Sequence, residues 1–142
     1  MKKSLFMILS LFAMITFSVQ PVFAESVVSS YSDWLTKANC PYPPCNTTEY
    51  SSPQFDMVRS YVTVKGYQYL PGFPDDVTLT YQVVDEDWFF DDVYGETIKT
   101  GYYKDSLFTI TISTFTAKPG VKVKVINPST QIGPKVEGSV YQ

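Results

Sequence analysis

The sequence predicts an all-β fold, a small antiparallel β-sandwich of about six or seven strands. Short segments of alternating polarity recur along the chain, as strands with one buried face require. Gly, Pro, Asn and Asp separate these segments, and none of them shows a convincing helical period. The clearest strand is Asp105–Thr116, in which Phe108, Ile110 and Ile112 alternate with threonine and serine, residue types that suit a pleated surface.

Residues Met1–Ala24 have the pattern of a cleaved signal peptide. Lys2 and Lys3 precede an apolar stretch, and Val22-Phe23-Ala24 supplies compact residues before the cut. Cleavage there leaves 118 of the 142 residues, a size typical of one domain. The apolar stretch is short for a membrane span, and no second one follows. We therefore expect a bacterial exported protein that is secreted to the extracellular space, with no membrane span in its mature chain.

Residues 25–56 are predicted to form a lead-in to the sandwich. Ser26–Leu35 is mixed in polarity, which favours a short helix or a loose connection. Cys40-Pro-Tyr-Pro-Pro-Cys45 is too rich in proline for a helix or a central strand. Two cysteines in an exported chain most simply form a disulfide, so we expect Cys40 and Cys45 to close this loop. Their spacing, with no βαβ pattern around them, disfavours a redox-active pair.

The predicted sandwich spans residues 57–142. Val77–Val84 alternates with Val77, Leu79, Tyr81 and Val83 on the inward face. In Val121–Ile126 the valines face inward and the lysines outward, as in an edge or solvent-facing strand. The short, regularly separated strands resemble an immunoglobulin-like sandwich, although a fold alone does not give a function. The remaining predicted strands are Met57–Lys65, Glu96–Tyr103 with Ile98 and Tyr102 inside, and Val136–Tyr141.

Composition excludes several classes of function. Without Lys2 and Lys3, nine of the 11 basic residues remain against 14 acidic ones, a formal net charge of −5. An acidic chain with no basic stripe disfavours nucleic acid and anionic lipid as partners. The chain has no histidine, which excludes Ser-His-Asp and Cys-His catalytic centres and the usual zinc sites.

The acidic segment Asp85–Tyr94 is the first candidate site. It places five carboxylates within eight residues at the end of a predicted strand. Ca²⁺ holds clustered carboxylates and accepts irregular loops, so calcium is a candidate cofactor. The spacing is close to that of an EF-hand, but Phe90 stands where that loop requires glycine. The alternatives are a solvated loop and the acid–base pair of a small hydrolase. The candidate calcium ligands are Asp85, Asp87, Asp91 and Asp92.

A surplus of aromatic residues gives the second candidate site. Tyrosine and tryptophan offer flat apolar area with a polar edge, which suits sugar rings or a protein partner. The candidates in predicted loops are Tyr67, Tyr69, Phe73 and Trp88. Packing in the core and between neighbouring strands is the alternative role for these side chains.

Taken together, these features favour a secreted, non-enzymatic binding or interaction module. Its ligand would be an extracellular or cell-envelope polysaccharide or a protein partner. One alternative is a small carboxylate-dependent secreted hydrolase, so the sequence leaves enzymatic activity open. The other is an extracellular matrix protein that self-associates through strand edges.

Overall fold

The computed structural model describes residues 25–36, 46–86, 90–130 and 132–142. Within these ranges the chain forms eight strands and no helix, so the predicted all-β, antiparallel class is confirmed. No described segment is a helix long and apolar enough to cross a membrane. The strands are β1 (Val27–Trp34), β2 (Thr48–Tyr50), β3 (Tyr61–Tyr69), β4 (Val77–Asp85), β5 (Asp92–Gly101), β6 (Tyr103–Ser113), β7 (Lys122–Ile126) and β8 (Lys135–Tyr141).

The strands form two four-stranded antiparallel sheets. Sheet A has the order β1-β8-β3-β6 and sheet B the order β2-β7-β4-β5. In sheet A, Gly66 of β3 lies opposite Gly138 of β8 on one side and Phe108 of β6 on the other. Since β1 and β8 come from opposite ends of the described chain, sheet A brings together side chains that are distant in sequence.

The core lies between the two sheets and is built by the alternation that the sequence shows. Val77, Leu79, Tyr81 and Val83 of β4 are fully buried, as predicted for that strand. The Tyr81 ring centroid lies 5.6 Å from that of Phe108 on β6, so aromatic packing joins the sheets. The other buried apolar strand residues include Tyr31, Val62, Val64, Ile112, Val123, Val125, Val136 and Val140.

The first strand differs from the expectation for Ser26–Leu35. The mixed polarity favours a helix or a lead-in, but Val27–Trp34 pairs with β8 along its length. Its inward positions carry Ser29 and Tyr31 and its outward positions Ser30 and Ser32, so serine occupies both faces and the hydrophobic period is weak. Residues 25–56 therefore contribute β1 and β2 to the two sheets.

In sheet B one expectation is met through its second alternative and another is wrong. Lys122 and Lys124 face outward, as expected of a solvent-facing strand, while β7 lies between β2 and β4 and is not an edge strand. Ile98 is predicted to point inward, yet it is 61% exposed. It lies opposite Thr80 of β4, whose neighbours Leu79 and Tyr81 fill the core, so the register places Ile98 on the outer face.

Candidate functional site

The main candidate site is a groove on the outer face of sheet A, over β1, β8 and β3. Its volume is ≈ 250 Å³. Across the strands, Ser32 lies opposite Glu137, which lies opposite Tyr67. In the next row, Ser30 lies opposite Ser139, which lies opposite Lys65. Because the serine side chains are short, an open space remains above them, and this space is the groove. The larger side chains of Tyr67, Leu107 and Tyr141 border it.

Two glycines opposite each other, Gly66 and Gly138, lie beneath the groove and point into the core. A Cβ atom on Gly66 would lie 3.0 Å from the Tyr31 hydroxyl oxygen, and one on Gly138 would lie 2.6 Å from Tyr31 Cζ. Neither distance is a normal contact, so the Tyr31 ring occupies space that only paired glycines leave open. The backbone under the groove is therefore held by core packing on its inner side.

An irregular stretch of β6 forms one side of the groove. Gly66 pairs with Phe108 and Gln68 pairs with Tyr103, so residues 104–107 of β6 stand against Tyr67 alone. These four residues are exposed, and Leu107 among them lines the groove. The interrupted pairing therefore brings Leu107 to the side of the groove.

The charged groups at the groove are matched by neighbours of opposite sign. Lys65 Nζ lies 3.1 Å from Glu25 Oε2 and 4.5 Å from the centroid of the Tyr141 ring. The hydrogen bond from Lys65 lowers the pKa of Glu25. Lys135 Nζ lies 4.0 Å from Glu137 Oε2 on the same face. The groove therefore presents hydroxyls, tyrosine rings and a near-balanced set of charges.

Of the four aromatic residues predicted to bind a ligand, the structure describes three, and among these Tyr67 lines the groove. Tyr67 borders the groove, and Tyr69 lies two residues further along the same face of β3, where its ring meets Tyr102 edge-on at 6.5 Å. Phe73 is 60% exposed in the β3–β4 connection and does not line the groove. Trp88 lies outside the described residues.

Several groove residues carry no signal in the sequence. Ser30, Ser32 and Ser139 are ordinary outward-facing strand residues, and Tyr141 lies near the C-terminus. They meet Tyr67 only because β8 pairs with both β1 and β3. The alternation of β8 already places Ser139 and Tyr141 outward, whereas the weak hydrophobic period of β1 does not assign Ser30 and Ser32 to a face.

Asp91 of the acidic segment is bound to sheet B. Its Oδ2 atom accepts hydrogen bonds from Lys124 Nζ at 2.6 Å and from the Tyr50 hydroxyl at 2.8 Å. Burial opposes the charged carboxylate, but these two hydrogen bonds outweigh it and lower the pKa of Asp91. Burial likewise opposes the charged form of Lys124, and its hydrogen bond to Asp91 outweighs that effect and raises its pKa. Asp91, just before β5, is thus held to the outer face of sheet B.

Of the other acidic residues in this segment, one forms an ion pair and two are exposed to solvent. Glu86 forms an ion pair with Lys122, while Asp85 and Asp92 lie opposite each other in the β4–β5 register and are exposed. Asp87 lies outside the described residues. Within the described ranges, no three Asp, Glu, His or Cys side chains gather as a metal site. Calcium binding by Asp85, Asp87, Asp91 and Asp92 stays a prediction.

The predicted disulfide also lies outside the described residues, because neither Cys40 nor Cys45 is among them. The same holds for the predicted signal peptide, Met1–Ala24.

Comparison with protein-family models, with curated proteins and with solved structures found no match to this chain.

Proposed function

We propose that this protein is a secreted, non-enzymatic module that binds an extracellular or cell-envelope polysaccharide in the groove on sheet A. The observation that supports this most is the grouping of Tyr67 and Tyr141 around serine side chains on one sheet face. Tyrosine rings pack against the apolar faces of sugars, and serine hydroxyls and a carboxylate exchange hydrogen bonds with sugar hydroxyls. The signal-peptide pattern of Met1–Ala24 supports an extracellular ligand.

The dimensions of the groove favour a polymer over a small enclosed ligand. Sites that enclose a drug-sized molecule have volumes of about 300–1,000 Å³, and this groove falls just below that range at ≈ 250 Å³. It crosses three adjacent strands, which at about 4.8 Å between neighbours makes a face about 10 Å wide. A short stretch of an extended sugar chain fits such an open surface.

The charges favour an uncharged polysaccharide. Lys65 is engaged with Glu25 and the Tyr141 ring, so it offers little attraction to an acidic sugar. Glu137, with Lys135 Nζ 4.0 Å from its Oε2 atom, likewise offers no attraction to a carboxylated or sulfated chain. We expect a neutral, hydroxyl-rich ligand.

The residues that line the groove favour binding over hydrolysis. Glycoside hydrolysis uses two carboxyl groups on either side of the scissile bond. Glu137 is the one carboxylate among the described residues that line the groove. The acidic segment that could supply an acid–base pair holds Asp91 against sheet B, in an ion pair with Lys124.

A binding assay with two matched aromatic variants tests the proposal. The probes are cellulose and chitin in pull-down, and soluble xylan and mannan in affinity electrophoresis, with the acidic polysaccharide alginate as comparator. We expect retention by at least one neutral polysaccharide and weaker retention by alginate. Tyr67→Ala should lower the affinity by about tenfold or more, as loss of a central aromatic contact does.

Phe73→Ala is the matched control, because Phe73 is an exposed aromatic residue outside the groove. It should leave retention unchanged. Absence of retention by all four neutral polysaccharides would contradict the proposal, as would equal losses in the two variants.

A further inference from the structure

A second cavity, also of ≈ 250 Å³, lies where β5 begins beside the β6–β7 connection. It is lined by Val93, Tyr94, Phe115, Thr116 and Lys118, and it shares no residue with the groove on sheet A. We call it the Phe115 cleft. Phe115 is 99% exposed and Val93 49% exposed, so the cleft presents apolar surface to solvent. An apolar side chain of a partner could pack against this surface.

Phe115 lies in a loop whose backbone is held by hydrogen bonds on both sides of it. The backbone N–H of Thr114 donates to Ser60 O at 2.7 Å, just before Phe115. After it, Lys118 O accepts from the N–H of Met57 at 2.7 Å, and Gly120 donates to Asp56 Oδ1 at 2.8 Å. With hydrogen bonds on both sides, the loop has a defined path that directs the Phe115 ring outward.

The other side of the cleft, formed by β5, also has a fixed backbone path. Val83 pairs with Gly95 and Val84 with Val93, so Tyr94 is the extra residue of a β-bulge. A Cβ atom on Gly95 would lie 3.2 Å from Ile112 Cγ2, so β5 passes close to β6 at this point. The cleft therefore lies between two fixed backbone segments.

The charges beside the cleft are mainly negative. Asp85 and Asp92 lie opposite each other, and in the described part of the chain neither lies within 4.0 Å of a lysine or arginine nitrogen. Burial, and then the negative charges of Asp85 and Asp92, raise the pKa of Tyr94. Asp92 directly precedes Val93 of the cleft lining and is paired with Asp85, so both carboxylates lie beside the cleft. The cation there is Lys118, whose Nζ lies 4.9 Å from the centroid of the Tyr94 ring.

We propose that the Phe115 cleft docks a basic segment of another protein, an aromatic or aliphatic side chain flanked by lysine or arginine. The apolar side chain would pack between Val93 and Phe115. The flanking cations would complement Asp85 and Asp92, which outnumber Lys118. This site is independent of the polysaccharide groove.

A second copy of the chain suits the cleft less well. A two-fold contact places the same patch on both copies against itself. The Asp85 and Asp92 carboxylates of the two copies would then face each other, and like charges brought together at an interface oppose association. Charge complementarity therefore favours a basic partner.

The test uses two acetylated, amidated tripeptides, Lys-Phe-Lys and Glu-Phe-Glu, added to the isotope-labelled protein and followed by NMR. The basic tripeptide should shift the amide signals of Val93, Tyr94 and Thr116 and saturate at millimolar concentration, and salt should weaken its binding. The acidic tripeptide should leave these signals in place. Asp92→Asn should weaken binding of the basic tripeptide about two- to fivefold, as loss of one exposed charge pair does.

Phe115→Ser should abolish the shifts, and its exposure means that the variant should fold normally. Phe73→Ser is the matched control, an exposed phenylalanine elsewhere that should leave binding unchanged. No shift with either tripeptide would overturn the proposal, and so would equal shifts with both. A dimer in sedimentation equilibrium that Phe115→Ser dissociates would also overturn it, in favour of a second copy as the occupant.

Discussion

Gln68 Nε2 lies 2.8 Å from the carbonyl oxygen of Val77, and this hydrogen bond connects sheet A to sheet B through the core. The Gln68 side chain is fully buried. It also donates to Lys99 O at 3.1 Å and accepts from the Tyr81 hydroxyl at 2.9 Å. A buried polar group is tolerated when its hydrogen bonds are satisfied, and this amide satisfies its own and that of Tyr81.

Gln68→Leu should therefore destabilise the protein strongly. Leucine removes the cross-sheet hydrogen bond and leaves the buried Tyr81 hydroxyl without its acceptor, at a cost of about 2–4 kcal/mol. Urea unfolding measures the loss. Gln82→Leu is the matched control, because Gln82 lies on the outer face of sheet B and bonds to the exposed Glu96; it should cost well under half as much. Equal unfolding midpoints for Gln68→Leu and the wild-type protein would contradict the structure.

The glycine pair under the groove gives a second stability prediction. Gly138→Ala drives a methyl group against the Tyr31 ring, and overpacking of this kind costs about 1–3 kcal/mol. Ser139→Ala, at the next residue on the outer face, should be nearly neutral. Tyr31→Phe removes the nearest clashing atom and should recover part of the loss in the double variant. Full additivity of the two substitutions would show that the contact is absent.

The Asp91–Lys124 pair predicts a pH dependence of stability at both extremes. Because the pKa of Asp91 is lowered in the folded state, its contribution is present above about pH 3.9, the unfolded value, and is lost as the pH falls through the folded pKa. Because the pKa of Lys124 is raised, its contribution is present below about pH 10.4 and is lost as the pH rises through its folded pKa.

Asp91→Asn should remove both effects of this pair, because the carboxylate is the partner of Lys124. The measurement is the free energy of unfolding between pH 2 and 11 for the wild-type protein and the variant. We expect the difference between the two proteins to be largest near neutral pH and to shrink at either extreme. A difference that does not change with pH would show that the pair contributes no charge interaction.

Filling the groove should block the proposed ligand without removing any aromatic side chain. Ser32 is exposed on β1 and lines the groove, so Ser32→Tyr places a large side chain in the empty space. Retention by the polysaccharide that binds the wild-type protein should be lost, while the unfolding midpoint stays unchanged. Thr111→Tyr on β6 is the control, an exposed position on the same face that does not line the groove. Undiminished retention by Ser32→Tyr would place the ligand elsewhere.

The sequence predicts those strands whose hydrophobic period is carried by aliphatic residues. Val77–Val84 alternates valine, leucine and tyrosine with polar residues, and its observed faces follow that pattern. The sequence does not predict β1, because its buried positions include Ser29 and its outward positions are also serine. The prediction that Ile98 points inward is wrong, because an apolar residue on an edge strand can lie on the outer face when the register places it there.

The groove depends on strand pairing, which local patterns do not encode. Tyr67 is predicted as a ligand-binding residue from its residue type, but Glu137 is 70 positions away and lies opposite it only in the folded sheet. Lys124 likewise lies 33 positions from Asp91, so the ion pair that holds part of the acidic segment cannot be read from the spacing of its carboxylates.

The most direct test of the polysaccharide proposal is an NMR titration of the isotope-labelled protein with cellohexaose, chitohexaose, xylohexaose and mannohexaose. The proposal predicts that at least one of these neutral oligosaccharides shifts the amide signals of Ser30, Ser32, Tyr67, Glu137 and Ser139, all on one face of sheet A. Shifts confined to the Phe115 cleft or to the loop around Phe73, or no shifts with any of the four, would contradict it.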